Sequence, residues 1–289
     1  MFKPPAITLL TLLLTATSGQ AWFPRLAEEM NFTSGTAIIG HNLDYIVGPG
    51  ETLMEIARRA GIGFDNLLRA NPGIDPWKPA TGQRLLLPKA VLAPELIRPG
   101  ITINLAELRL YLVWDEGDAR KVRVYPVGIG REGWATPVGE YRVSVVIDNP
   151  DWTPPASLRL EKPELPGRVP AGPDNPLGSR WIGLTAEGVG IHGSNQPYGV
   201  GRRVSHGCIR LYPEDILDLA GRVKPGTPVR IVDQPLKQRL FAGRLYLEAH
   251  RPFNDPTAVM LPDGSWPAER IARVLTEARG LPIEIRPEQ

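Results

Sequence analysis

The stretch Ser205-His206-Gly207-Cys208-Ile209-Arg210-Leu211 holds the residue types in this chain most suited to covalent chemistry. Cys208 is the one cysteine among 289 residues, and His206 and His192 are two of only four histidines. The thiolate, not the thiol, is the nucleophile, and an ordinary thiol ionises near pH ~8.5, so Cys208 needs a base. An imidazole can take the proton and later return it to a leaving amine. Two imidazoles compete for that role. His206 adjoins the thiol pair of residues Gly207-Cys208, but it fits a structural place under the loop equally well. His192, in Ile191-His192-Gly193-Ser194, stands at the end of a strand-like run. A histidine base must be oriented by a third group. No Asp or Glu lies close to His192 in sequence, so the expected orienter is the Gly193 carbonyl, on a glycine that permits a tight turn. The N–H groups of Gly207 and Cys208 are candidate oxyanion donors, and Arg210 can fork onto a carboxylate. Zinc held by Cys208, His206 and His192 is the competing chemistry. The ligand spacings of zinc sites and further acidic ligands are absent, so no metal and no cofactor are expected.

The whole chain bounds this chemistry. A net charge of +2 is too small to suggest a nucleic-acid or membrane-surface binder. Residues 1–21 read as an export signal: Lys3 is the positive start, Ile7 to Thr17 is mostly apolar, and Gly19-Gln20-Ala21 is a small-x-small cleavage site. The apolar run is about 11 residues long, against the roughly 20 that span a bilayer. No transmembrane segment is expected in the mature chain. Export places a lone thiol in an oxidising compartment, where it cannot pair within its own chain. An inert buried cysteine or an intermolecular disulfide is the plainer alternative on that ground alone.

The elements that must position the thiol are mostly strands. Leu108, Leu110 and Leu112, then Val122 and Val124, then Tyr141, Val143 and Val145, alternate with other residues at period two, as in half-buried antiparallel strands. Val127-Gly128-Ile129-Gly130 and Thr136-Pro137-Val138-Gly139 read as tight corners between them. Residues 149–179 are rich in Pro and Gly, the composition of a functional lid rather than filler. Trp152 within it either lines a substrate groove or plugs the space under the loop. Pro213 suits the first position of a helix with Ile216, Leu219, Ala220 and Val223 on one face. Residues 89–100 read as a semi-stiff linker. The tail, 234–289, predicts a strand at 245–247 and a helix capped by Ser265 that carries Ile271, Val274, Leu275 and Ala278, with no chemistry. His41 and His250 are expected at the surface.

Upstream, Thr52 and Glu55 have the spacing of a capping box, Gly61 ends the helix they start, and Pro72 stops a second helix near Asn71. With flanking strands this gives a small βααβ unit over 43–88. Its Tyr45, Val47, Gly50, Thr52, Leu53, Ile56, Ala57, Leu67, Asn71-Pro72, Gly82 and Pro88 resemble a LysM domain, with Glu51 where that family usually has Asp. The resemblance implies binding to the N-acetylglucosamine-containing glycan of peptidoglycan or chitin.

Ile191-His192-Gly193 and Ser205 to Leu211, with Pro126 to Gly130 and Thr136 to Gly139 upstream, resemble the YkuD-type L,D-transpeptidase catalytic domain over 101–233. The resemblance implies a mainly β catalytic domain, a β-sandwich with a short helix, beside the α+β LysM. It implies that Cys208 attacks the diaminopimelate–D-Ala bond of a tetrapeptide stem and passes the acyl group to an amine. It assigns His192 as base, Gly193 as its orienter, and Ser205, His206, Gly207 and Arg210 as supporting positions. LysM, lid and catalytic segment together look like the periplasmic transpeptidases of Gram-negative bacteria. The expected partners are peptidoglycan glycan and stem peptides, with an outer-membrane lipoprotein lysine or another diaminopimelate as acceptor. A hydrolase of the same stem and a glycan-binding protein with an inert catalytic domain are the alternatives.

Overall fold

In the computed structural model, which describes residues 30–32, 38–94, 98–241, 244–250, 280 and 283–285, two short strands come first, β1 (Met30–Phe32) and β2 (Ile38–Ile39). The predicted export signal and the predicted tail helix lie outside the described residues. A βααβ unit follows: β3 (Leu43–Ile46), α1 (Leu53–Ala60), α2 (Phe64–Ala70) and β4 (Arg84–Leu87), with β3 and β4 antiparallel. The capping box forms: the Glu55 N–H donates to the Thr52 hydroxyl at 3.2 Å, and the Glu55 carboxylate accepts from the Thr52 N–H at 3.0 Å. Gly61 closes α1 in the left-handed region, φ 64°. Asn71 is buried and stitches α2 to β4, donating to the Leu67 and Leu86 carbonyls and accepting from the Leu86 N–H. Glu51, the residue that departs from the LysM pattern, accepts from the Gly48 N–H and the Tyr45 hydroxyl and pairs with Arg59. Its carboxylate therefore ties the loop before α1 to the helix.

The segment read as a linker is partly a strand. β5 (Val91–Leu92) pairs with β2, and Leu92 and Ala93 are buried. The partner lies some fifty residues away, so nothing local in the proline-rich sequence announces it.

The catalytic region runs through β6 (Gly100–Asn104), β7 (Arg109–Glu116), β8 (Ala119–Pro126), β9 (Ile129–Gly130), β10 (Gly139–Asp148), α3 (Ala156–Glu161), β11 (Arg180–Leu184), β12 (Gly190–His192), β13 (Arg203–Ser205), β14 (Ile209–Arg210), α4 (Pro213–Ala220) and β15 (Pro228–Val232). One sheet takes the order β1-β8-β7-β6-β15-β10-β11-β12-β14. Its corner is β10. The first half of that strand pairs with β15 and the second with β11, and the register shifts between Val143 and Val145. The two limbs share one core: Ile101, Ile103, Leu110 and Leu112 from one, Ile182, Leu184, Ile191 and Ile209 from the other, with Ile216 and Leu219 of α4. The expected sandwich is thus a single sheet folded over at β10.

The tail adds β16 (Leu236–Phe241), β17 (Arg244–Ala249) and β18 (Ile283–Ile285), an antiparallel sheet. It is fastened by buried charges. Glu248 accepts from Arg109 at 2.6 Å and from the Leu92 N–H at 2.5 Å; Lys237 donates to Glu107 at 2.9 Å and to the Leu92 carbonyl at 2.6 Å. Tyr111 donates to Glu107 as well. His250, expected at the surface, is instead buried beside Glu248 at 2.7 Å. Strand alternation puts 248 and 250 on one face, and only the tertiary fold reveals that this face is covered. Burial pulls the His250 pKa down, against the Glu248 carboxylate. Burial would raise the Glu248 carboxyl, but Lys237 and Arg109 outweigh it and hold it below the usual range.

Two carboxylates thus balance two cations, and removing one partner strands a buried charge. Glu248→Gln should cost on the order of 3–5 kcal/mol, read as a lower urea midpoint at pH 7. A depressed carboxylate contributes stability above its unfolded value of about 4.3 and loses it as pH falls. The gap between wild type and variant should therefore shrink below that pH. An unchanged midpoint at pH 7 would refute a stabilising role for the cluster.

Candidate active site

Parallel pairing of β12 with β14 brings the motif residues together. Ile191 lies opposite Ile209, His192 opposite Arg210, and the Leu211 N–H donates to the His192 carbonyl at 2.8 Å. Ile191 and Ile209 point into the core. Alternation puts His192 and Arg210 on the other face, and Cys208 lies near enough to Arg210 to feel its charge.

His192 is buried, and its Nδ1 lies 2.6 Å from the Gly193 carbonyl. A carbonyl can only accept, so Nδ1 carries the hydrogen and Nε2 keeps its lone pair. The Trp181 ring stacks on the imidazole, centroids 5.9 Å apart at 23°. Gly190 must be a glycine here, because a Cβ would meet that indole at 2.3 Å. Burial, helped by the Arg210 charge, drives the His192 pKa down to about 3. The imidazole is therefore neutral at neutral pH, with the Nε2 lone pair unprotonated.

The Cys208 sulfur lies 3.6 Å from the Gly188 carbonyl. Burial pushes its pKa up, while a Gly190 backbone hydrogen bond and Arg210 pull it partly back. At rest Cys208 is thus a thiol and His192 a neutral imidazole, rather than a thiolate and an imidazolium. Burial also lowers the Arg210 pKa, with the Cys208 charge opposing. The buried Arg210 Nε has no hydrogen-bond partner among the described residues. Its guanidinium lies against Gly199, where a Cβ would come within 2.7 Å.

The remaining motif residues shape the loop. The Ser205 hydroxyl donates to the Cys208 carbonyl at 2.6 Å, and Gly207 takes φ 100°, open to glycine. His206 faces the lid: its Nε2 lies 3.1 Å from Arg131 and 3.3 Å from Glu161, and the Trp134 ring meets it edge-on at 5.0 Å. Glu161, at the end of α3, also accepts from Arg131 at 2.6 and 2.8 Å. The lid is thereby latched beside the loop. Trp152 pairs with Val169 at the lid's base through reciprocal 2.8 Å backbone bonds, over a buried Asn175 that donates to the Pro150 carbonyl.

Three contributors escaped the sequence reading: Trp181, Trp134 and Glu161. Trp181 had a usable signal, since it lies in a strand directly before the His192 strand. Glu161 and Trp134 come from segments whose approach to the loop only the fold determines.

A thiol, an imidazole with a free Nε2 and backbone donors are the groups that acyl transfer through a thioester requires. Residues 98–231 match the L,D-transpeptidase catalytic domain family (YkuD), and residues 45–88 match the LysM domain. The chain is 38% identical over 281 residues, 89% of its own length and 87% of the relative's, to probable L,D-transpeptidase YcfS of Escherichia coli. It is 38% identical over 236 residues, 78% of this chain and 76% of the other, to probable L,D-transpeptidase YbiS of the same organism. It is 37% identical over 191 residues, 65% of this chain and 98% of the other, to putative L,D-transpeptidase YkuD of Bacillus licheniformis. The chain belongs to the L,D-transpeptidase family and is an enzyme of that class. No helix among the described residues is long and apolar enough to cross a membrane.

The raised thiol pKa sets a pH dependence. Alkylation of Cys208 by iodoacetamide should still be climbing at pH about 8.5, the ordinary thiol value. A rate already level by about pH 7, the mark of a thiolate–imidazolium pair, would contradict the neutral pair.

Proposed function

We propose that Cys208 attacks the amide between diaminopimelate and the terminal D-Ala of a peptidoglycan tetrapeptide stem, with His192 as the base. The thiol proton passes to His192 Nε2 as the S–C bond forms. The C–N bond then breaks and the proton goes to the leaving D-Ala amine. An incoming amine later attacks the thioester carbon; the C–S bond breaks and the amine proton passes through His192 to the Cys208 sulfur, restoring the thiol. The observation that carries this reading is the 2.6 Å contact from Nδ1 to the Gly193 carbonyl, which leaves Nε2 free as a base. Gly207 and Cys208 N–H groups stabilise the oxyanion, Ser205 braces the loop, and His206 joins it to the lid. Arg210, cationic and without a carboxylate partner among the described residues, receives a substrate carboxylate. Trp152 forms part of the groove wall at the base of the lid. No cofactor takes part.

The proposed division of the chain is a signal peptide over 1–21, a LysM over 43–88, a linker over 89–100, the catalytic domain over 101–233 and an extension over 234–289. The enzyme works in the periplasm, and its LysM holds it on the glycan. The docking of that unit supports the reading. Arg58 pairs with Glu214 at 3.2 Å, the Tyr212 hydroxyl donates to the Ile62 carbonyl at 3.1 Å, and the Asp65 N–H donates to the Gly201 carbonyl at 3.2 Å. Tyr212 follows the motif directly, so a glycan held by the LysM stays at a fixed offset from the thiol. The acceptor is an amine: a lipoprotein lysine or another diaminopimelate.

A carbapenem, which mimics the acyl donor, should add one covalent mass to the wild type and none to Cys208→Ala. An unmodified wild type would sink the enzyme reading. Purified tetrapeptide muropeptides incubated with candidate amines should yield the amide-linked product; release of free tripeptide alone would replace the transferase reading with a hydrolase.

A further inference from the structure

Thr136 sits in the corner Thr136-Pro137-Val138-Gly139, is buried with 3% of its surface exposed, and touches neither Cys208 nor His192 through its hydroxyl. That hydroxyl accepts from the Gly130 N–H at 3.0 Å and donates to the Gly207 carbonyl at 2.9 Å. A hydroxyl has one hydrogen, and this one is committed to Gly207. The Gly207 carbonyl belongs to the same peptide plane as the Cys208 N–H, and in a trans peptide the two point in opposite directions. Whatever holds the carbonyl aims the N–H.

That plane needs a clamp. It follows a glycine at φ 100°, a residue with no side chain to restrict its rotation. The next plane, whose carbonyl is that of Cys208, is held by the Ser205 hydroxyl at 2.6 Å. The two peptide units flanking the nucleophile are thus each fixed by a buried hydroxyl, one from within the motif and one from a corner some seventy residues earlier. The approach of Thr136 is itself built in. The 131–136 loop folds back over Gly130 so closely that a Cβ there would meet the Trp134 carbonyl at 1.9 Å.

We propose that Thr136 is a positioning residue for the oxyanion hole: through the Gly207 carbonyl it directs the Cys208 N–H at the oxygen of the tetrahedral intermediate. The proposal rests on the reading of Cys208 as the acylated nucleophile. When sulfur bonds to the substrate carbon, the carbonyl π pair moves onto oxygen, and a misaimed donor leaves that charge unmet. Alkylation of the same sulfur by iodoacetamide displaces iodide and develops no oxyanion. The two reactions therefore separate donor alignment from thiol exposure and reactivity.

Acylation by a carbapenem and alkylation by iodoacetamide should be timed by mass spectrometry on the full chain for wild type, Thr136→Val, Thr136→Ala and Thr136→Ser. Removing an oxyanion donor costs about 100- to 1,000-fold, and misaiming one should cost less, so Val and Ala should slow acylation about 10- to 100-fold. Alkylation should change by less than about 2-fold, because it uses no oxyanion donor. Ser, which keeps the hydroxyl, should acylate within a few-fold of wild type. Acylation and alkylation falling together would make Thr136 a merely structural residue and overturn the proposal, as would Val or Ala variants that acylate normally. Should Val and Ala fail to fold, Ser still decides: a folded Ser variant with slow acylation and normal alkylation would show that the hydroxyl is not what matters. A wild type that alkylates but never acylates would instead defeat the nucleophile reading beneath the proposal.

Discussion

The parallel pairing of Ile191 with Ile209 is the contact on which the catalytic geometry depends. It buries two isoleucines in the core and, by alternation, places His192 and Arg210 on the opposite face, with Cys208 near enough to Arg210 to feel its charge. A parallel pair cannot be joined by a tight hairpin, so the chain between must make a long excursion. That excursion passes Gly201, where the LysM unit docks, and β13, which pairs with β9 beside Gly130. His192, Cys208, the LysM unit and the Gly207 loop thus have their positions set from one pairing.

The contacts that join the parts of the chain differ in kind. The Arg58–Glu214 pair is about a third exposed on either side, so it adds little to stability, on the order of 0–1 kcal/mol. Its place beside the Tyr212 and Gly201 hydrogen bonds makes it an alignment contact. The cluster of Glu107, Arg109, Lys237 and Glu248 is fully buried, and charges taken out of water return their desolvation cost only when every partner is in register. It also ties the Leu92 backbone to the tail through Lys237 and Glu248, which explains why a segment that reads as linker is held as a strand.

What could be read from sequence was what local chemistry determines. Thr52 and Glu55 form their box, Asn71-Pro72 ends α2, and Pro213 opens α4, because each is decided within a few residues. The motif around Cys208 was legible as a motif because the thiol, the His192 imidazole and the Gly193 carbonyl are each short-range features of two segments. What escaped depends on partners far along the chain. β5 pairs with a strand at Ile38–Ile39, His250 is covered by β7 residues through Glu248, and the bulge at β10 turns a regular alternation into a corner. Thr136 belongs with these: as a corner residue it is ordinary, and its meaning lies wholly in reaching Gly207.

The choice of a carbonyl, rather than a carboxylate, to orient His192 follows from burial. A carboxylate beside the ring would favour the imidazolium and could draw the proton from Cys208 before substrate arrives. A thiolate held in that way would sit charged and ready, in the form that oxidants attack. The Gly193 carbonyl fixes the tautomer without adding charge, and burial keeps both thiol and imidazole neutral. In the proposed mechanism, proton transfer then waits for the moment of attack, when the oxyanion donors meet the developing charge. On this account the rigid loop and the neutral pair are two halves of one arrangement: a thiol left unactivated at rest must be compensated by donors already aimed at the transition state.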